Sequence, residues 1–161
     1  PLKERVPGID FASAMLSTLD YFGGRLYLLG AKPGVAEEAG RRILAQYPHI
    51  TLCGTQDGYF KDDAQAAQQA ADAKPDLMFV CLGAPKQEKW IYDNIRLVGA
   101  KVAIGVGGSF DVMAGNVKRA PKIFRRLGLE WFHRLITQPT RWRRMMRLPK
   151  FALTVLRTRG R

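Results

Sequence analysis

At 161 residues and 47% apolar content the chain is about one domain long and can bury a core, while its 16 Gly and 9 Pro follow no period, which excludes collagen-like and low-complexity chains. No stretch approaches the ~20 apolar residues of a bilayer-spanning helix. The formal net charge of +12 is unevenly placed: residues 1–117 hold 12 Lys/Arg against 13 Asp/Glu, net −1, and residues 118–161 hold 14 against one acid, Glu130, net +13.

Apolar periodicity alternates between short runs and longer amphipathic segments. Ile9–Phe22 reads as a helix stopped by Gly23-Gly24, and Arg25–Gly30 as a strand. Lys32-Pro33-Gly34 is a loop, followed by a helix over Val35–Tyr47 and a strand over Ile50–Gly54. Asp62–Ala73 is an Ala/Gln-rich helix, Asp76–Gly83 a nearly all-apolar strand, Lys86–Ile95 a helix and Lys101–Val106 a strand. Strands this apolar, alternating with helices, predict an α/β fold: a Rossmann-like parallel sheet with helices on both faces. Cys53 and Cys81 each fall within an apolar run, with no C-x-x-C pair. Reduced thiols in a cytosolic chain are expected, with a bridge between the two as the alternative.

Beyond Gly107-Gly108 the pattern changes. Pro121–Leu127 and Leu129–Gln138 read as short helices, and a third starts near Pro139-Thr140 and is interrupted before Pro149. The chain thus divides into a core, residues 1–117, and a basic C-terminal helical appendage, residues 118–161. On continuous helix Arg134, Arg141 and Arg144 share a face, with Trp131, Phe132, Trp142, Met145 and Met146 as apolar neighbours. Arg clusters bind phosphate, and basic helices carrying aromatic residues lie on anionic membrane surfaces. The alternative is a solvated charged face.

Ligands of an open parallel sheet bind beyond the carboxyl ends of its strands. Gly83-Ala84-Pro85-Lys86-Gln87-Glu88 follows the most apolar strand, so Gly83 allows a close turn and Pro85, Lys86, Gln87 and Glu88 fall where helix N–H groups favour an anion. An ordinary βα turn with solvated polar residues explains the same pattern. Gly105, Gly107 and Gly108 end the last strand and would let a nucleotide approach the backbone, with Asp111 accepting from hydroxyls. This run lacks the third glycine and the downstream acid of a dinucleotide fingerprint. The alternative there is a tight turn capped by Asp111. Asp10 is either the cap of the first helix or a ligand contact. His49 and His133 have no partners at metal-ligand spacing, so no metal site is expected.

Five segments in succession carry a family resemblance: E-R-V-P-G-I-D from Glu4, L-G-A-P-K-Q-E-K-W-I from Leu82, I-G-V-G-G-S-F-D-V-M-A-G from Ile104, K-R-A-P-K-I-F-R-R-L-G-L-E-W-F-H-R-L from Lys118, and P-T-R-W-R-R-M from Pro139. Together they resemble the WecG/TagA/CpsF glycosyltransferases, glycosyltransferase family 26, over essentially the whole chain. The resemblance implies inverting transfer of N-acetylmannosamine or its uronic acid from a UDP-sugar to N-acetylglucosamine on undecaprenyl diphosphate. The product feeds teichoic acid, enterobacterial common antigen or exopolysaccharide synthesis, and neither cofactor nor metal is implied. It also implies a peripheral protein on the cytoplasmic membrane face. Carried onto matching positions, Arg5, Gln87 and Asp111 resemble pocket residues for the nucleotide sugar. Arg134, Arg141 and Arg144 resemble the appendage arginines that offset charge on the departing diphosphate. The family's proposed catalytic base lies on a segment ahead of the position of Pro1, so a fragment lacking that segment is expected, and with it poor turnover and apolar surface disposed to self-association. Two rival expectations are a basic nucleic-acid-binding module and a Rossmann-type oxidoreductase.

Overall fold

The computed structural model describes residues 7–118 and, beyond them, Ala120, Pro121, Ile123, Phe124, Phe132, Leu135, Ile136, Val155 and Thr158. Two compact units divide the chain, Pro1–Lys118 and Arg119–Arg161. In the first, the elements are α1 (Gly8–Phe22), β1 (Arg25–Gly30), α2 (Val35–Gln46), β2 (Thr51–Gln56), α3 (Asp63–Asp72), β3 (Leu77–Cys81), α4 (Lys86–Val98), β4 (Val102–Gly105) and α5 (Ser109–Met113).

All strand pairs are parallel, in the order β2-β1-β3-β4. Alternation along β1 and β3 sends successive side chains to opposite faces. Leu26, Leu28, Leu77, Phe79 and Cys81 therefore meet Ala12 and Leu16 of α1, Ala36, Ala39 and Ile43 of α2, and Phe110 of α5. Tyr27, Leu29, Met78 and Val80 meet Ala66, Ala67 and Ala70 of α3 with Trp90 and Val98 of α4. The alanines of α3 let it lie close to the sheet. The Asp62 carboxylate starts α3 by accepting from Ala64 N and Gln65 N at 2.9 and 3.1 Å.

The two-sided covering expected of every strand holds for β1 and β3, which are central. It fails at the edges: β2 and β4 are only partly buried. Cys53, on edge strand β2, donates to Leu26 O at 3.1 Å, and burial pushes its thiol pKa up. Cys81 sits on β3, so β1 separates the two thiols and no bridge joins them.

Charge pairs tie the outer layer. Glu38, in the first turn of α2, accepts from Arg41 and from Arg42, each at 2.7 Å. Those bonds, Arg41's first, hold its carboxyl down to about 2. In the second unit the described residues Ile123, Phe124, Phe132, Leu135, Ile136, Val155 and Thr158 are helical. Ile123, Phe132, Ile136 and Val155 are exposed apolar side chains. Pro121, the expected start of the first tail helix, is not itself helical, and the other ends of the expected tail helices lie outside the described residues. No helix among the described residues is long and apolar enough to cross a membrane.

Candidate functional site

The order β2-β1-β3-β4 has its topological switch point between β1 and β3. From β1 the chain crosses to β2 through α2 on one face; from β3 it crosses to β4 through α4 on the other. The loops diverge outward at the carboxyl ends of these two strands, and sheets of this order take their ligands there.

Backbone bonds stitch the loops around that point. Ala31 N donates to Cys81 O at 2.9 Å, Gly58 N to Ala31 O at 2.8 Å, and Val106 N to Val80 O at 2.9 Å. The β1–α2 and β2–α3 loops therefore belong to this end of the sheet as fully as the two glycine loops that the sequence singles out. From the β2–α3 loop Phe60 reaches the start of α4, where Lys86 Nζ stands 5.0 Å from its ring centroid. Beside it Tyr59 is 67% exposed, a large apolar surface open at the rim. Asp57-Gly58 directly after a strand was the sequence signal for this loop, a turn dipeptide at a ligand-bearing end.

Gly83 and Gly107 both adopt positive φ, 77° and 54°, a region other residues rarely enter. Between them lies Gln87, 5% exposed. Its Oε1 accepts from Gly83 N at 3.2 Å and Gly107 N at 3.1 Å, and its Nε2 donates to Glu88 Oε1 at 2.8 Å. Cys81 Sγ contacts Gly107 O, and Ser109 Oγ donates to Val106 O at 2.7 Å. One cluster thus brings together Gly83, Gln87, Glu88, Gly105 and Gly107, with Lys86 exposed on its outer side.

Pro85 takes the turn position of the two open to it, preceding α4 as its N-cap residue with a ψ of 5° that is not yet helical. At two positions the capping alternative fails. Asp111 lies inside α5, which starts at Ser109 after Gly108, so it does not cap a following segment; its carbonyl accepts from Val117 N at 3.0 Å. Asp10 lies in the first turn of α1, whose N-cap residue is Pro7, so it is not the cap either. Both carboxylates stand on helices packed on the same face of the sheet, since Ala12 and Phe110 share one core cluster. Arg5, Arg134, Arg141 and Arg144 lie outside the described residues.

Two hollows lie at the opposite, amino end. One of about 310 Å³ is lined by Met15, Leu19, Phe22, Asp76, Lys101 and Val102. Another, of about 580 Å³, is lined by Asp20, Tyr21, Phe22 and His49. Their polar groups are already paired, Lys101 with Asp76 at 2.7 Å and His49 Nδ1 with Asp20 at 3.5 Å. Chemistry therefore points to the carboxyl end. Among the described residues no group of three His, Cys, Asp or Glu side chains could hold a metal ion.

Comparison with known proteins agrees with the motif succession. The family model for the glycosyl transferase WecG/TagA/CpsF family matches residues 1–161. A relative from Bacillus subtilis (strain 168), an N-acetylglucosaminyldiphosphoundecaprenol N-acetyl-beta-D-mannosaminyltransferase, is 47% identical over 156 residues, covering 97% of this chain and 61% of the relative. A protein of the same name from Bacillus spizizenii (strain ATCC 23059 / NRRL B-14472 / W23) is 43% identical over 157 residues, covering 98% and 61%. The chain spans about 61% of the length of these relatives. A match running from the first residue to the last, over a parallel sheet whose carboxyl-end loops carry the family's motifs, places the chain in the WecG/TagA/CpsF glycosyltransferase family.

Proposed function

We propose that this chain is the donor-binding and membrane-docking part of an inverting glycosyltransferase. It moves N-acetylmannosamine, or its uronic acid, from UDP to N-acetylglucosamine on undecaprenyl diphosphate in cell-envelope polymer synthesis. The reading is supported by the convergence of the motif-bearing loops on the β1/β3 switch point, in a chain 47% identical to a relative whose name states N-acetylmannosaminyl transfer and the N-acetylglucosaminyldiphosphoundecaprenol acceptor. The acceptor oxygen attacks the anomeric carbon from the face opposite the diphosphate, and the bond to UDP breaks as the new one forms.

Charge accumulates on the leaving diphosphate, and cationic donors placed there lower the barrier. Lys86 stands at the carboxyl-end rim, and Arg134, Arg141 and Arg144 of the basic unit are assigned the same task without a metal ion. Asp111, following the Gly107-Gly108 turn, is assigned to donor hydroxyls. Activating the acceptor hydroxyl also requires a positioned general base. Exposed Ile123, Phe132, Ile136 and Val155, in a unit of high positive charge, support docking on the anionic cytoplasmic face of the membrane. Each basic residue near such a surface contributes about 1 kcal/mol.

Calorimetry with UDP and with NAD tests the donor reading: UDP binds and NAD does not, whereas NAD binding alone would return the sheet to oxidoreductase chemistry. Flotation with anionic liposomes tests the docking reading. The full chain should float, and Arg141→Glu with Arg144→Glu should lower its recovery several-fold. Tight RNA binding at physiological salt without flotation would favour a nucleic-acid module instead.

A further inference from the structure

We infer that Gln87 is a positioning residue which locks the loops after β3 and β4 into one rigid floor, and that its amide does not itself touch the donor. The inference rests on the donor-site reading above but stands on its own geometry. A side-chain carbonyl oxygen offers two lone pairs. Both of Gln87's are taken, by Gly83 N at 3.2 Å and Gly107 N at 3.1 Å. One of the two Nε2 hydrogens goes to Glu88 Oε1 at 2.8 Å, and at 5% exposure the residue offers a ligand little surface.

Space is equally committed. A Cβ built on Gly105 would stand 2.6 Å from Gln87 Nε2, so the last residue of β4 is a glycine because this side chain lies against it. Strand pairing ends at Gly30↔Cys81 on one side of β3 and at Val80↔Gly105 on the other, short of both Gly83 and Gly107. Beyond the ladder, the Gln87 carbonyl is the acceptor that these two positive-φ glycines share. It therefore replaces the missing strand partner. The same two amides, taken by Gln87, are withdrawn from any nest for the diphosphate.

Amide hydrogen exchange and UDP calorimetry on the 161-residue chain test this together. Gln87→Met keeps the volume and removes the acceptor. It should speed exchange at Gly83 and Gly107 about tenfold while Leu28 and Phe79 keep their protection, and should weaken UDP binding about tenfold by loosening the floor. The double variant Gln87→Glu with Glu88→Gln reverses the side-chain pair and keeps an acceptor facing both glycines, with the carboxylate in the first turn of α4 where the helix dipole favours it. It should recover the protection of both amides and most of the UDP affinity. Unchanged exchange in Gln87→Met would overturn the inference. So would a double variant that protects both amides yet stays weak for UDP, since the missing amide donor would then be a direct ligand contact. An unaltered chain that takes no UDP would sink the donor-site reading while the exchange arm still decides the staple.

Discussion

The two ends of this sheet are built from different materials. At the amino end side chains close the structure. The Asp76 carboxylate accepts from Arg25 N at 2.8 Å and from Lys101 Nζ at 2.7 Å, so one residue ties together the starts of β1, β3 and β4. Arg25 in turn donates to Ala73 O and Lys74 O at the end of α3, and Asp20 of α1 receives His49 N at 2.8 Å just before β2. At the carboxyl end backbone bonds, the buried Gln87 amide and the contacts of Cys81 Sγ and Ser109 Oγ hold the loops, and among the described residues the Lys86 cation rests on an aromatic ring rather than on an acid. Charges neutralised by one another stabilise; a charge left without an acid beside it remains available to an anionic ligand. Loss of the amino-end charge pairs should therefore move stability without moving ligand affinity, and loss of the Lys86 cation should do the reverse.

The largest effect is expected between the two ends. Phe79 is fully buried at the centre of β3, and Phe79→Ala should cost about 3–5 kcal/mol in urea unfolding. A loss below about 1 kcal/mol would contradict a core shared by both halves of the sheet. Asp76→Ala should cost about 1–2 kcal/mol, a charge-assisted bond discounted for partial exposure, with UDP affinity within about twofold. The bond from Lys101, and then that from Arg25 N, hold the Asp76 carboxyl below its ordinary value. A depressed pKa contributes stability that is complete above the unfolded value of 3.8 and is lost as pH falls through the lower folded one. The stability gap between the unaltered chain and Asp76→Ala should thus be full at pH 6 and close below pH 3.8; a gap that widens in acid would reverse the assignment.

Asp62→Ala removes the cap of α3 and should cost about 1 kcal/mol, again without changing UDP affinity. Lys86→Ala is the smallest in stability, within about 0.5–1 kcal/mol for an exposed cation–π contact. Its UDP affinity should nonetheless fall about tenfold, the size of one lost charge-assisted bond. Equal UDP affinity in Lys86→Ala and in the unaltered chain would erase the contrast between the ends.

Much of the fold is legible in order and type. β1 is bounded as its apolar run implies, α1 and α2 differ from the periodic reading by one residue at one end, and Gly23 and Gly99 end α1 and α4. Boundaries moved where pairing decided them. β2 runs on through Thr55 and Gln56, polar residues with no strand signal, because Leu28 and Leu29 of β1 pair with them. Helix α4 continues three residues past Ile95 to bury Val98 against the sheet. At the site, the glycines and Lys86 were readable from their place after strands. The capping alternatives for Asp10 and Asp111 fail because each helix starts ahead of the residue, at Gly8 and at Ser109, which makes a cap into a first-turn residue. The place of Gln87 in the loop after β3 was legible, but its connection to Gly107, twenty positions away, was not.

The order of apolar runs and helical segments by itself determined a parallel α/β layer and the position of its glycine loops. Charge counts alone separated a neutral body from a basic tail, because both follow from local composition and period. Strand order, the β1/β3 switch point, the unequal burial of central and edge strands, and the shared acceptor between two loops came only with tertiary structure. Each depends on which distant segments lie side by side, and hydrogen bonds between such segments carry no period along the chain.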